Sequence, residues 1–227
     1  MEKKRPLIKR IFDYKMLLHD FVVATGLLPT WLFFRHKLIY VNGRKPKKLF
    51  RGSYIISSNH NTLLDPIIVC EAFWFRRVGF VCTKDLFDKS KLLAFLLRKY
   101  GVVSVDKSDP SLKIFKDSEK HINRGHIMCF FPEGMVVREE EMGTFKSGII
   151  MLSIMTGADI LPIYLVKREK YIKRQRVLVG EKIKVSDYLS GPFPSIEEVN
   201  KVTALLKEKE QELIDKYNLL LKEKKKW

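Results

Sequence analysis

A histidine and a carboxylate, His60 and Asp65, share the stretch Ser57-Ser58-Asn59-His60-Asn61-Thr62-Leu63-Leu64-Asp65-Pro66. Their spacing is awkward on one straight helix face, but a turn that folds back can set the Asp65 carboxylate against one ring nitrogen of His60. The other nitrogen is then available as a base. A carboxylate partner fixes the tautomer and stabilises the imidazolium that forms when the ring takes a proton. The chain contains no Gly-x-Ser-x-Gly elbow that would supply a serine nucleophile. Taken alone, the pair reads more simply as a helix cap, Asp65, beside a satisfied turn histidine. A second acid, Glu133, stands in Phe131-Pro132-Glu133-Gly134, where Gly134 would let the backbone approach a ligand closely.

Both groups follow buried strands. Tyr54 to Ser58 reads as a strand, and Asp65-Pro66 reads as an N-cap followed by proline at the first helical position, opening a helix to Phe75. Ile127 to Phe131 is an apolar run of the kind found in central strands, and it stops at Pro132. Ligands collect where strands of an open α/β sheet end, so the two turns are expected to form opposite walls of one cleft. Gly143-Thr144-Phe145-Lys146-Ser147-Gly148 then leads into an apolar helix and a further strand, Asp159 to Leu165.

In order, these motifs are Asn-His-x4-Asp, Phe-Pro-Glu-Gly, Phe-Lys-x-Gly and Leu-Pro-Ile, spread over roughly residues 55 to 165. Together they resemble the glycerolipid acyltransferase family, best known for the 1-acylglycerol-3-phosphate acyltransferases. The resemblance implies that His60 is the base and Asp65 its orienting partner, with Glu133 and Gly134 placing the acceptor and the reacting carbonyl. Two phosphate-gripping arginines of the family are altered: Met135-Val136 follows Gly134 where Thr-Arg is usual, and Lys107 closes Gly101-Val102-Val103-Ser104-Val105-Asp106-Lys107. Lysine pairs with phosphate as a point charge, without a bidentate fork. Arg138 and Lys146 are nearby candidates to compensate. By this likeness the reaction is acyl transfer from a thioester, on coenzyme A or acyl carrier protein, to the hydroxyl of a lysophospholipid, 1-acylglycerol-3-phosphate giving phosphatidate. It needs no cofactor, no metal and no covalent enzyme intermediate. The altered positions leave room for a phosphate-free acceptor such as a lyso-aminolipid.

Composition fits a lipid surface. The 227 residues carry a formal charge of +17 and are 46% apolar, too apolar for a disordered tail. An anionic partner is expected, nucleic acid or anionic lipid. Residues 1 to 51 hold thirteen Lys/Arg against three Asp/Glu, flanking an apolar run from Phe21 to Phe34. That run falls short of the about 20 residues needed to span a bilayer, so it is expected to dip into one leaflet behind an amphipathic stretch from Met1 to Lys15. Trp31, Phe33 and Phe34 beside Arg35 and Lys37 suit an interfacial anchor. The alternative is a buried core helix. The expected location is peripheral or monotopic, on the cytoplasmic face of a membrane. A nucleic-acid-binding protein without acyltransferase activity remains the rival of a different class, but no zinc-finger spacing or single-strand-binding signature supports it.

Elsewhere strand and helix alternate. Strands are expected at Leu38 to Val41, Val78 to Thr83, Gly101 to Val105, Val177 to Gly180 and Ile183 to Val185. Helices are expected at Lys91 to Tyr100, with an apolar face of Leu92, Leu93, Phe95, Leu96 and Leu97, and at Leu112 to Asn123, closed by Gly125. Pro194-Ser195-Ile196-Glu197-Glu198 is a capping box for a last helix with Val199, Val202, Leu206, Leu213, Tyr217 and Leu220 on one stripe. Cys70, Cys82 and Cys129 read as small core residues, and His121 and His126 as ordinary surface residues. The fold class that follows is α/β: one domain over 37–227 with a central mixed, mostly parallel sheet flanked by helices, plus N-terminal membrane-interfacial helices over 1–36.

Overall fold

Seven short runs of mostly β-branched and aromatic residues pair into one sheet in the computed structural model, which describes residues 20–21, 25, 35–43, 49, 52–105, 113–135, 142–167, 174–191 and 193–222. The strands are β1 (Lys37–Tyr40), β2 (Tyr54–Ser58), β3 (Val78–Thr83), β4 (Val103–Val105), β5 (Ile127–Phe130), β6 (Asp159–Leu165) and β7 (Arg176–Val179). Across the sheet they run β1-β7-β6-β2-β5-β3-β4. The β6–β7 pair is antiparallel and every other neighbouring pair is parallel. The helices are α1 (Asp65–Ala72), α2 (Lys84–Asp88), α3 (Lys91–Lys99), α4 (Lys113–Asn123), α5 (Gly148–Thr156) and α6 (Ile196–Lys222). The mixed, mostly parallel sheet flanked by helices is the one the sequence predicts.

Side-chain alternation along β2 decides what each face receives. Tyr54 and Ile56 point to one side, where they meet Ile68, Val69 and Phe73 of α1 and the residue that follows it. Ile55 points to the other, against Ile149, Ile150 and Leu152 of α5 and Val199, Val202 and Leu206 of α6. Each such side chain contributes about 1.5–3 kcal/mol by leaving water, and Ile56→Ala would cost about 2–5 kcal/mol. The connection leaving β2 passes over one face to β3, whereas that leaving β5 passes over the other to β6. Adjacent strands whose connections diverge in this way leave a crevice at their carboxyl ends. The turns carrying His60 and Glu133 stand at that crevice.

Helix ends follow the sequence signals. Glu198 Oε2 accepts from the Ser195 N–H at 2.8 Å while Ser195 Oγ accepts from the Glu198 N–H at 3.2 Å, completing the capping box of α6. Gly125, at φ +88°, closes α4 by donating its N–H to the Ile122 carbonyl at 2.8 Å.

Several expectations are corrected. The stretch Ile183 to Val185 makes a single bridge, Ile183 with Ile160, and then winds into a 3-10 turn, Val185–Tyr188. Helix α3 turns Leu92 and Phe95 outward, burying Ala94 instead. Among the three cysteines Cys129 is fully buried and Cys70 packs against the core as expected, but Cys82 is half-buried outside it. His121 and His126 are not surface residues: both are buried, with ring centroids 4.6 Å apart. Two glycines make the space for His121, since a Cβ at Gly101 would lie 2.5 Å from its Cε1 and one at Gly79 2.8 Å from its Nε2. Of the N-terminal helices expected over residues 1–36, residues 20, 21, 25, 35 and 36 are described and the rest lie outside the described residues. Asp20 there pairs with Arg77 at 2.5 Å, at the start of β3. Among the described residues no helix is long and apolar enough to cross a membrane.

Candidate active site

Strand β2 ends at Ser58, and the chain then reverses through Asn59-His60-Asn61-Thr62 before α1 begins. Asp65 was expected to cap α1, but it stands in the first turn of that helix, after Leu64 at the cap position, and no side chain caps the helix. Its carboxylate instead turns back into the loop. Oδ2 accepts from the Asn61 N–H at 2.6 Å and the Thr62 N–H at 2.8 Å, while Oδ1 accepts from Thr62 Oγ1 at 2.8 Å. The same Oδ2 lies 2.9 Å from His60 Nδ1. A carboxylate accepts only, so the ring proton belongs on Nδ1 and the lone pair on Nε2. The folding back read from the sequence is thus achieved, by a carboxylate that fixes the loop backbone as well as the ring.

Further contacts set the ring plane. His60 stacks on Phe131 with centroids 4.0 Å apart and planes at 17°, and Phe131 is backed by Phe80 at 6.4 Å. Asn59 Nδ2 donates to the Leu165 carbonyl at 3.0 Å while Asn59 Oδ1 accepts from the Leu165 N–H at 2.7 Å, and Asn61 Nδ2 adds a second bond to that carbonyl at 2.9 Å. The turn is therefore riveted to the end of β6. About 15% of the His60 side chain stays exposed, so a reactant can reach it.

The opposite wall is built by the turn after β5. Gly134, at φ +71°, takes a left-handed conformation that suits glycine, and its N–H donates to the Phe131 carbonyl at 2.9 Å. That bond engages the Gly134 N–H within the turn itself. A Cβ at Gly134 would lie 2.8 Å from Lys146 Nζ, so the absence of a side chain lets the ammonium rest over the turn. The Lys146 N–H donates to the Pro132 carbonyl at 2.9 Å, tying the two motifs together. Glu133 is buried, and its pKa is raised by that burial; the Gly143 N–H at 3.4 Å, the positive charge of Lys207 and the His60 ring whenever it takes a proton pull the other way.

Of the residues singled out in the sequence, His60, Asp65, Glu133, Gly134 and Lys146 come together at this end of the sheet. Lys107 and Arg138 lie outside the described residues. Sequence reasoning passed over the anchoring roles of Asn59, Asn61 and Thr62, the Phe131 platform, and Glu210 of α6. Glu210 is 1% exposed and receives a hydrogen bond from Ser57 Oγ. A signal for it existed: the stripe Val199, Val202, Leu206, Leu213 skips one inward position, and a glutamate occupies it.

The model of the family described as Acyltransferase matches residues 39–166. A probable 1-acyl-sn-glycerol-3-phosphate acyltransferase of Mycoplasma pneumoniae is 25% identical over 136 residues, 57% of this chain and 49% of that protein. The 1-acyl-sn-glycerol-3-phosphate acyltransferase of Borreliella burgdorferi is 27% identical over 157 residues, 64% of this chain and 58% of that protein. The chain thus spans about half the length of the relatives it matches. In fold it is similar to the crystal structure of the 1-acyl-sn-glycerophosphate acyltransferase PlsC from Thermotoga maritima, with a TM-score of 0.57 at 17% identity, over 97% of this chain and 88% of that one.

Proposed function

Because the chain belongs to the acyltransferase family, we propose that it moves a fatty acyl group from an acyl thioester to the hydroxyl of a lysolipid, with 1-acylglycerol-3-phosphate as acceptor and phosphatidate as product. The observation that carries this reading is the His60 ring, held at Nδ1 by Asp65 and stacked on Phe131, which leaves Nε2 as the nitrogen available to act as a base. The donor is acyl-coenzyme A or acyl carrier protein, bound as substrate. Relatives named 1-acyl-sn-glycerol-3-phosphate acyltransferases support the acceptor.

An alcohol is a poor nucleophile at neutral pH. His60 Nε2 takes the hydroxyl proton as the acceptor oxygen attacks the thioester carbonyl, and Asp65 stabilises the imidazolium that results. The tetrahedral intermediate collapses with cleavage of its C–S bond. The thiolate leaves readily, since a thiol pKa near about 8.5 makes it a tolerable leaving group, and it collects the proton from His60. One histidine therefore completes the proton cycle. Lys146, over the Gly134 turn, is the cation placed to meet an anionic acceptor. Glu133, with Lys207 and His60 acting on its charge, borders the same space.

The substrate and the product both reside in a bilayer, so the protein works at an anionic membrane surface, peripherally or monotopically on its cytoplasmic face. The charge of +17 and the basic, apolar N-terminal segment support this. A second acceptor class, a phosphate-free lyso-aminolipid, is favoured by Val136 where the family's arginine is usual. The deciding experiment incubates the protein in mixed micelles with a labelled acyl thioester and lysolipids with and without phosphate, His60→Ala serving as control. Transfer to lysophosphatidate that vanishes in the control is the expected result. Transfer to a phosphate-free acceptor alone would move the assignment to the second class, and hydrolysis without transfer would end both.

A further inference from the structure

Helix α6 lies outside the segment 39–166, yet it presses a carboxyl group against the strand that leads into His60. Glu210 is 1% exposed, and its Oε1 accepts from Ser57 Oγ, three positions before His60. Its Oε2 has no hydrogen-bond partner among the described residues. An ionised carboxylate so placed would leave one oxygen without solvation or partner, whereas a neutral acid in the same place costs far less.

The surroundings reinforce the neutral form. From β2 Glu210 meets Ser57; from β5 the Cys129 thiol lies within reach of its charge, and from the next turn Glu133 does. Lys207, one turn earlier on α6, acts on Glu133. On β6 and β7, Tyr164 and Arg176 engage Tyr217, farther along the helix. In the 3-10 turn Asp187 pairs with Lys184, and Tyr188 acts on Lys209. Helix α5 has no titratable residue. Burial pushes Glu210 up to about 8, the Ser57 hydrogen bond working against this and the Glu133 charge adding to it.

We propose that Glu210 is a positioning residue of the acyl-transfer site: as a neutral acid it holds Ser57 and the end of β2, and by staying neutral it keeps a second negative charge away from Glu133. Loss of its proton to solvent would set two carboxylates side by side where the oxyanion develops and an anionic acceptor binds, weakening both. This rests on the acyl-transfer reading.

The test measures kcat and kcat/KM from about pH 6 to about pH 10 for the wild type, Glu210→Gln and Glu210→Leu, with uncatalysed thioester hydrolysis subtracted. Each curve is normalised to its own neutral value. The wild type is expected to fall above about pH 8 to a lower plateau, and Glu210→Gln to stay flat over that range. Glu210→Leu, which cannot accept from Ser57, is expected to run below Glu210→Gln in kcat at every pH. An alkaline decline in Glu210→Gln matching the wild type would overturn the proposal. Infrared spectra provide the readout that does not depend on turnover: the wild type should carry a protonated-carboxyl C=O band at neutral pH that Glu210→Gln lacks, and its absence would also overturn the proposal. No transfer by the wild type at any pH would remove the acyl-transfer reading and this role with it, and a persisting infrared band would distinguish that failure from a wrong protonation state.

Discussion

The two walls of the crevice are built on opposite terms. In the turn after β2, the Asp65 carboxylate takes four contacts between 2.6 and 2.9 Å, and Asn59 and Asn61 fasten the loop to Leu165. In the turn after β5, the Glu133 carboxylate takes one long N–H, from Gly143 at 3.4 Å, among the described residues, and exposed Lys146 rests over a glycine. The first wall fixes a ring nitrogen, the second leaves charge adjustable around a substrate. A base must be held to fractions of an ångström for proton transfer, whereas an acceptor headgroup is gripped by charges that can follow it.

The sharpest way to break this contrast is at the base. On the proposed mechanism His60→Ala should lower kcat by about a thousandfold or more, with little change in melting temperature because the ring is only half-buried. A folded variant that still turns over at a normal rate would remove the rigid wall's purpose. Asp65→Asn should cost about a hundredfold or more in kcat and also a few kcal/mol of stability, because an amide brings no charge to stabilise the imidazolium and sets a donor against the Thr62 hydroxyl where Oδ1 accepted. Glu133→Gln should cost only about tenfold, read mainly as a higher KM for the acceptor, with the melting temperature nearly unchanged. If Glu133→Gln destabilised the protein as much as Asp65→Asn, the two walls would be equally rigid and the comparison would fail. The smallest effect on turnover at neutral pH concerns the carboxyl behind the fixed wall, which is read in stability instead. Glu210 moves from 4.5 to about 8 on folding, so between those pH values the unfolded chain gives up a proton that the folded protein keeps. Stability therefore falls as pH rises through that window, and Glu210→Gln should remove a slope worth a few kcal/mol by about pH 8. Melting curves of both proteins at acid and mildly alkaline pH would settle it.

The sequence declared the scaffold through signals that act locally. Apolar runs ending at Ser58 and Pro132, a capping box at Ser195, and Gly125 after α4 each fix an element by their own chemistry, and the order of elements follows. His60 and Asp65 were legible for the same reason, since both lie within one turn. What was hidden depends on partners distant in the chain. Nothing near His121 in the chain announces its burial; the space it fills is made by Gly79 inside β3 and Gly101 before β4. Pro66 after it makes Asp65 look like a cap, and only the reversal of the loop turns its carboxylate toward Asn61 and Thr62. Glu210 was visible as an interruption in an apolar stripe, but Ser57, its partner, stands 153 positions earlier. Lys146 is a candidate in the sequence by its nearness alone, and its place over Gly134 shows only in the folded chain.

The rivets on Leu165 reach 106 and 104 positions along the chain from Asn59 and Asn61, and Lys37 at the sheet edge finds its partner in Arg176. Contacts so far apart in sequence close late, because the loops between them must be ordered before the bond gives anything back. A growing chain on the ribosome will have completed β2 and α1 long before it can lock the His60 turn, and β1 will wait longer still for its neighbour. The protein should therefore acquire its chemistry near the end of folding, and fragments stopped before Leu165 should be inert however well their helices form.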